Sequence, residues 1–254
     1  GARLLRRWIM FPLKDLHKIN ERLDTVEFLV KETDLRQSFG QHIKQCGDVE
    51  RLVSRIPLKK INPREVLQLA RGLRQVDSIK TSCLQSGSEY LKRIGDALNP
   101  CPFIADKIIA EIVDNPPAQV AKGGVIGSGV HATLDELRAI SHSGKEYLAK
   151  LQQQESERTG IPSLKIGFNN VFGYYLEVTN AHKNKVPADW IRKQTLTNAE
   201  RYITPELKEY EEKITGAEEK ILRIEMELFD ALLNELHDYL APVQTNGNLL
   251  AILD

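Results

Sequence analysis

Six basic residues, Lys165, Lys183, Lys185, Arg192, Lys193 and Arg201, fall in one stretch that also carries the polar turn pairs Asn169-Asn170 and Thr197-Asn198. Ammonium, guanidinium, amide and hydroxyl groups are the usual donors to phosphate oxygens, and such contacts fix position on a polyanion without reading its sequence. From residue types alone three uses stay open: phosphate binding, a protein-binding surface and an ordinary solvated β-face. No catalytic set competes with them. The six histidines are scattered, no Ser, His and acid grouping stands out, and the chain has no GxxxxGK[ST] phosphate loop. Gly127-Ser128-Gly129-Val130-His131-Ala132 has the glycine pattern of a dinucleotide-binding turn and a helix follows it, but two features oppose that reading. Too few apolar residues precede it to make a buried strand, and the helical, polar QQQESER lies where a second strand should end in an acid.

Charge is uneven along a chain of net charge zero. Counting Lys and Arg against Asp and Glu, residues 1–60 carry 13 against 8, residues 160–203 carry 6 against 3, and residues 204–240 carry 4 against 11. The basic regions point weakly to a polyanionic partner. Cys46, Cys83 and Cys101 form no CxxC pair and leave one over in any disulfide scheme, which suits a reducing compartment and argues against a metal site. No apolar run approaches the roughly 20 residues a membrane span needs, and GARLLRRWIM lacks the apolar core of a signal peptide, so a cytoplasmic location is expected.

The elements that must hold the basic stretch follow from periodicity. Before about residue 115 the pattern is helical. Leu4, Leu5, Trp8 and Ile9 fit a 3.6 period up to Pro12; Ile19, Leu23, Val26, Phe28, Leu29 and Val30 fit a second; Val49, Leu52, Val53 and Ile56 fit a third ending at Pro57. Asn62-Pro63-Arg64-Glu65 predicts a capped helix start, with Leu67, Leu69, Ala70, Leu73 and Val76 carrying it toward Ile79. Ile104, Ile108, Ile109, Ile112 and Val113 form a last set, stopped by Pro116-Pro117. Residues 118–132 read as a loop with a short strand at Gly124–Ile126.

From Thr133 the spacing changes to heptads. Thr133 and Glu136 have capping-box spacing, and Leu134, Leu137, Ser141, Gly144, Leu148 and Leu151 alternate steps of three and four to about Arg158. Leu207, Tyr210, Ile214, Ala217, Ile221, Ile224 and Leu228 do the same in a helix expected to run from Pro205 to Leu240, about 54 Å long, and to end at Pro242. These two helices should pair antiparallel, with the EE and KE pairs forming solvated faces. Between them residues 160–203 show period two, with hairpins turning at Asn169-Asn170 and Thr197-Asn198. If each hairpin leaves the helices and returns, both turns lie at the sheet end farthest from the helices.

GARLLRRW, the DNPP and GGVI ahead of the first heptad helix, ERTGIPSLKIGFNNVFGYYLEVT and, above all, WIRKQTLTNAERYITPELKEYEEKI resemble the core and clamp region of the MutS family of bacterial DNA mismatch repair proteins, over essentially the whole chain. The most specific run is R-[RK]-Q-T-L-x-N-A-E-R-Y-x-x-P-E-L-K-E-Y-E. The resemblance implies a mainly α fold: a helical core at 1–132, two antiparallel lever helices at 133–159 and 204–241, and a small antiparallel β-rich clamp at 160–203, inserted at the lever tip. Residues 242–254 would start the next core helix. It implies a clamp that grips double-stranded DNA through backbone phosphates without sequence preference. Thr197 and Asn198 are the first contact candidates, then Asn169 and Asn170. Arg192 and Lys193 match the family's paired basic positions, and Lys165, Lys183 and Lys185 are further candidates. Where the family often has a basic residue this chain has Thr197, which removes one charge from the turn. Arg201 and Glu200 are expected to be structural, pairing across the hairpin.

The family's mismatch-reading module, with a Phe-x-Glu motif, and its ATPase module, with a Walker sequence, have no counterpart in this sequence. The expectation is therefore a non-catalytic, excised fragment without a cofactor, ATP and Mg belonging to the parent. Its expected partners are duplex DNA and the remaining MutS domains, within a homodimeric parent that works with MutL, off the membrane and on the nucleoid when bound to DNA. The alternative is a coiled-coil arm whose tip docks a protein partner.

Overall fold

In a computed structural model that describes residues 1–169 and 171–254, the chain divides into two units: residues 1–130 with 225–254, and residues 131–224. The first is helical, built from α1 (Ala2–Met10), α2 (Leu16–Lys31), α3 (Thr33–Cys46), α4 (Val49–Val53), α5 (Pro63–Gln85), α6 (Glu89–Ala97) and α7 (Pro102–Glu111). Its central element, α5, starts as its sequence dictates. Asn62 Oδ1 accepts from Glu65 N at 3.0 Å, Glu65 Oε2 accepts from Asn62 N at 3.2 Å, and Pro63 fills the first helical position. Val66, Leu69, Leu73, Val76 and Ile79 are fully buried beneath α3, α6 and α7. At Gly72 a Cβ would meet the Cys46 carbonyl oxygen at 2.7 Å, so glycine is what lets α3 lie this close to α5. After α7, Ile112 pairs with Ile126 in an isolated antiparallel bridge, so the expected strand at Gly124–Ile126 is reduced to one bridge.

The second unit opens with α8 (Ala132–Thr159). The capping box expected at Thr133 does not form: the cap lies two residues earlier, at His131, whose Nδ1 accepts from Leu134 N at 3.3 Å. Gly160, at φ 64°, closes the helix in the left-handed conformation that glycine adopts without strain. Strands β1 (Lys165–Asn169), β2 (Gly173–Thr179), β3 (Ile191–Thr195) and β4 (Ala199–Ile203) form one antiparallel sheet in the order β1-β2-β4-β3, with a 3-10 segment at Asn180–Lys185. α9 (Pro205–His237) leaves β4 after one residue, Thr204, whose Oγ1 caps it by accepting from Leu207 N at 3.1 Å. Residues 205–224 of α9 belong to this unit and 225–237 to the first.

Within the second unit the helices pair antiparallel as expected. Tyr147 stacks on Tyr210 with ring centroids 3.6 Å apart, and Lys145 reaches Glu218 at 2.6 Å. The seam is thin around Ser141 and Gly144, where a Cβ on Gly144 would sit 2.5 Å from Ile214 Cγ1. Beyond Leu148 it widens into one apolar cluster with the inner face of the sheet, joining Leu151, Ile161, Leu164, Leu176, Val178, Trp190, Tyr202 and Leu207.

Two expectations about α9 need correction. It stops at His237 rather than at Pro242, because Asp238 and Tyr239 take i−3 bonds to Glu235 and Leu236 and close the turn. A further helix, α10 (Leu240–Leu253), then begins, and Pro242 lies in its first turn, where an N–H has no intrahelical partner to lose. The acidic side chains of α9 are also more than a solvated face. Lys213 and Glu209 do form an i,i+4 pair, but Glu211 accepts from Tyr174 N at 3.0 Å and Glu218 takes Lys145. In the first unit Asp230 takes Lys59 at 3.0 Å, Glu235 takes Lys107 at 2.5 Å, and the buried Glu225 accepts from Val125 N at 3.1 Å. The acidic surplus of this segment thus serves largely as fastening.

Candidate nucleic-acid interface

The register of the sheet decides which candidate residues meet. β2 pairs with β4 so that Thr179 faces Ala199 and Leu176 faces Tyr202, and β1 pairs with β2 so that Asn169 faces Gly173. The two hairpin turns therefore sit at opposite ends of β2. Thr197-Asn198 lies at the end of β4 remote from the start of α9. Asn169 lies back beside α9, where Lys208 Nζ donates to Phe172 O at 2.9 Å and Glu211 holds Tyr174 N. The expectation that both turns share the far end is corrected by this geometry. The cause is the reversal at Gly160, which sends β1 back along α8: Gln152 Oε1 of that helix accepts from Ile166 N at 2.9 Å. Asn169 is also the last residue of β1, its Oδ1 accepting from Val171 N at 2.7 Å, and not the first residue of a two-residue turn. Asn170 lies outside the described residues.

Around the far turn the structure assembles a compact set of donors. Leu196 N donates to Ala199 O at 2.8 Å, closing the turn and leaving the side chains of Thr197 and Asn198 exposed. Asn180, which the sequence reading passed over, ties the 3-10 segment to that turn: its backbone N donates to Asn198 O at 3.1 Å and its Nδ2 to Thr197 O at 2.9 Å. The segment it opens, Asn180-Ala181-His182-Lys183-Asn184-Lys185, is a polar basic run whose composition was the available signal. Arg192 Nη1 lies 3.4 Å from Glu200 Oε1, and the charge of Lys183 adds a smaller pull on the same carboxylate. Lys193 sits where β3 slips register between Arg192 and Gln194, on the edge strand and exposed. A bulge of this kind turns a side chain out of the regular alternation.

The cations differ in what already holds them. Arg201 is half-buried and wholly engaged: Nε donates to Glu177 Oε2 and Nη1 to Gln194 Oε1, both at 2.9 Å, and its guanidinium lies 4.3 Å from the Tyr175 ring centroid. It pairs across the hairpin with Gln194 on β3, as expected, and also with Glu177 on β2. Arg192 is the residue that pairs with Glu200, at 3.4 Å. Lys185 Nζ donates to Gly160 O at 2.9 Å, at the C-terminal end of α8, where a cation also complements the helix dipole. Lys165 stands across the strand pair from Glu177. Lys183 and Lys193 are exposed, and neither has an ion-pair partner among the described residues.

Glu200 and Tyr202 set the local electrostatics. The Glu200 carboxyl is held below its ordinary range, chiefly by the hydrogen bond from the Tyr202 hydroxyl and then by Arg192. Tyr202 is pushed up to about 12, first by burial against Trp190 and then by Glu200. At neutral pH this is a carboxylate held by a neutral phenol, with two cations beside it.

With the geometry established, sequence comparison supplies the family. The family model described as MutS domain III matches residues 1–254. The chain belongs to the MutS domain III family. The DNA mismatch repair protein MutS of Parabacteroides distasonis is 55% identical over 254 residues, covering 100% of this chain and 29% of that protein. The same-named protein of Phocaeicola vulgatus is 56% identical with the same coverage, and that of Bacteroides thetaiotaomicron is 52% identical, with 30% of its length covered. This MutS domain III chain therefore spans less than a third of these curated relatives. Among the described residues, no helix is long and apolar enough to cross a membrane.

Proposed function

We propose that this domain III chain is a non-catalytic part of a mismatch repair protein that grips duplex DNA through backbone phosphates without sequence preference. In this reading α8 and the first part of α9 act as the lever, the sheet acts as the clamp, and the helical unit links the clamp to an ATPase module supplied by the parent. The observation that carries it is a set of exposed donors: Lys183, in the 3-10 segment that Asn180 ties to the far turn, and Lys193, on the edge strand leading into that turn, both without ion-pair partners among the described residues, with Thr197 and Asn198 exposed in the turn itself. Ammonium groups neutralise phosphates, while neutral donors add hydrogen bonds and no counterion release. Asn169 and Asn170, at the other hairpin, are secondary candidates in this reading, and Lys165, Lys185 and Arg192 are weakened ones, since each faces an acid or a carbonyl. The duplex, the remaining domains of the parent, a second copy of the parent and MutL are the proposed partners. ATP and Mg belong to the parent, and the proposed setting is the bacterial cytoplasm, on the nucleoid.

Fluorescence anisotropy on a random duplex tests this. Binding that weakens steeply with salt, and equally for matched and G·T duplexes, is expected, with no nucleotide turnover above background. A second reading, a protein-docking arm, is favoured by the exposed Val171 and Phe168 at the first hairpin. Absence of DNA binding at low salt together with capture of a defined partner that Val171→Asp releases would favour it instead.

A further inference from the structure

Glu200 is the one acid in the middle of the proposed grip. Its side chain is only 12% exposed, yet two groups of the tip contact it and a third acts on its charge. The Tyr202 hydroxyl donates to Oε2, Arg192 Nη1 lies 3.4 Å from Oε1, and the Lys183 ammonium acts on it through space. An anion placed among cations offered to phosphates opposes the phosphates and competes for the cations.

We infer that Glu200 is an electrostatic brake on the tip, holding Arg192 out of net phosphate binding so that Lys183 and Lys193 carry the grip. This rests on the phosphate reading above. If Arg192 stays on Glu200 it releases no DNA counterion. If it swings to a phosphate, one counterion leaves the DNA but Glu200 loses its partner and takes up a cation from solution, so the net release is again close to zero. Lys183 and Lys193 have no such internal anion to give up, apart from the through-space pull of Glu200 on Lys183. The Arg192–Glu200 pair is open to solvent on the arginine side, 61% exposed, so the exchange is sterically free. Glu200 is a positioning residue here, and its effect appears in salt dependence, which a purely structural role would not move.

The experiment is the slope of log K against log salt on a random duplex for four forms of the full chain: unchanged, Glu200→Gln, Arg192→Ala and the double variant. Glutamine keeps an acceptor for Tyr202 while removing the charge. Glu200→Gln should steepen the slope by about 0.9 and tighten binding about eightfold at 0.1 M salt, and the steepening should vanish when Arg192→Ala is added. Arg192→Ala alone should leave the slope unchanged. That last prediction stands even if Glu200→Gln fails to fold, which circular dichroism would show. A slope flattened by about 0.9 in Arg192→Ala, or an unchanged or weaker Glu200→Gln in a well-folded chain, would overturn the brake and leave the phosphate reading intact. No binding by the unchanged chain at low salt would overturn both.

Discussion

Arginines in the helical unit and lysines at the sheet tip are put to different uses. In the first unit Arg51 and Arg55 converge on Glu65, Arg71 and Arg74 reach Asp114 and Asp106, and Arg93 reaches Glu21. Its interior is a conventional aliphatic core around α5. In the second unit the apolar cluster mixes leucines with Trp190 and Tyr202, and among the described residues Lys183 and Lys193 have no ion-pair partner. The contrast shows that a near-zero net charge can hide a division of labour: charge used as fastening in one region and offered outward in the other.

The largest effect expected from this contrast is in the aliphatic core. Leu73→Ala removes a fully buried side chain from α5 and should cost about 2–5 kcal/mol, read from the urea midpoint of the helical signal. A loss below about 1 kcal/mol would mean that α5 is not the centre of a packed unit.

The thin seam of the second unit gives a paired test at two glycines. Gly144→Ala gains helix propensity but forces a Cβ into Ile214, so it should destabilise by about 1–2 kcal/mol net, and that penalty should disappear in an Ile214→Ala background, which lacks the clashing Cγ1. Gly216→Ala, with nothing within 4 Å of its Cβ, should stabilise by up to about 1 kcal/mol. Equal effects at both positions would contradict the close approach at Gly144.

Smaller still should be the effect of Arg201→Ala on DNA binding. Loss of its bonds to Glu177 and Gln194 should loosen the sheet and lower its thermal stability, while the salt slope stays as it was, because Arg201 is already neutralised within the sheet. A flattened slope would move Arg201 into the contact set. The least effect is expected from pH. Tyr202 has its folded value raised to about 12, so its contribution is intact below the ordinary tyrosine value of about 10 and fades as pH rises through 12. Alkaline unfolding of Tyr202→Phe should lack that last component.

Much of this architecture was legible in the sequence where one local rule dominated. The Asn62 capping box, the heptads of Leu148, Leu151, Leu207 and Ile214, and the alternation in β2 each read correctly, because short-range geometry fixes them. α3 was harder to see, since only Phe39 and Cys46 of its residues are buried and its period is diluted by polar side chains. Pro242 predicts a helix stop, but it lies in the first turn of α10, where it costs no hydrogen bond, so it does not mark the end of α9. The candidate residues can be named from composition, but their arrangement cannot. The cations could be named from the chain, yet which end of the sheet each turn occupies depends on the reversal at Gly160. Which arginine is already paired depends on cross-strand register, and neither property is local. Asn180 was missed for the same reason, as its role exists only once β2 and β4 are aligned.

The central claim is that two lysines at the far turn, and not the arginines beside them, hold the phosphates. Its most direct test is the salt dependence of binding to a random duplex by the unchanged chain and by Lys183→Ala/Lys193→Ala, measured by fluorescence anisotropy at four salt concentrations. A slope of about −2 that flattens by nearly two units in the double variant is the predicted result, at roughly −0.9 per phosphate contact. A slope left unchanged by removing both lysines would contradict it.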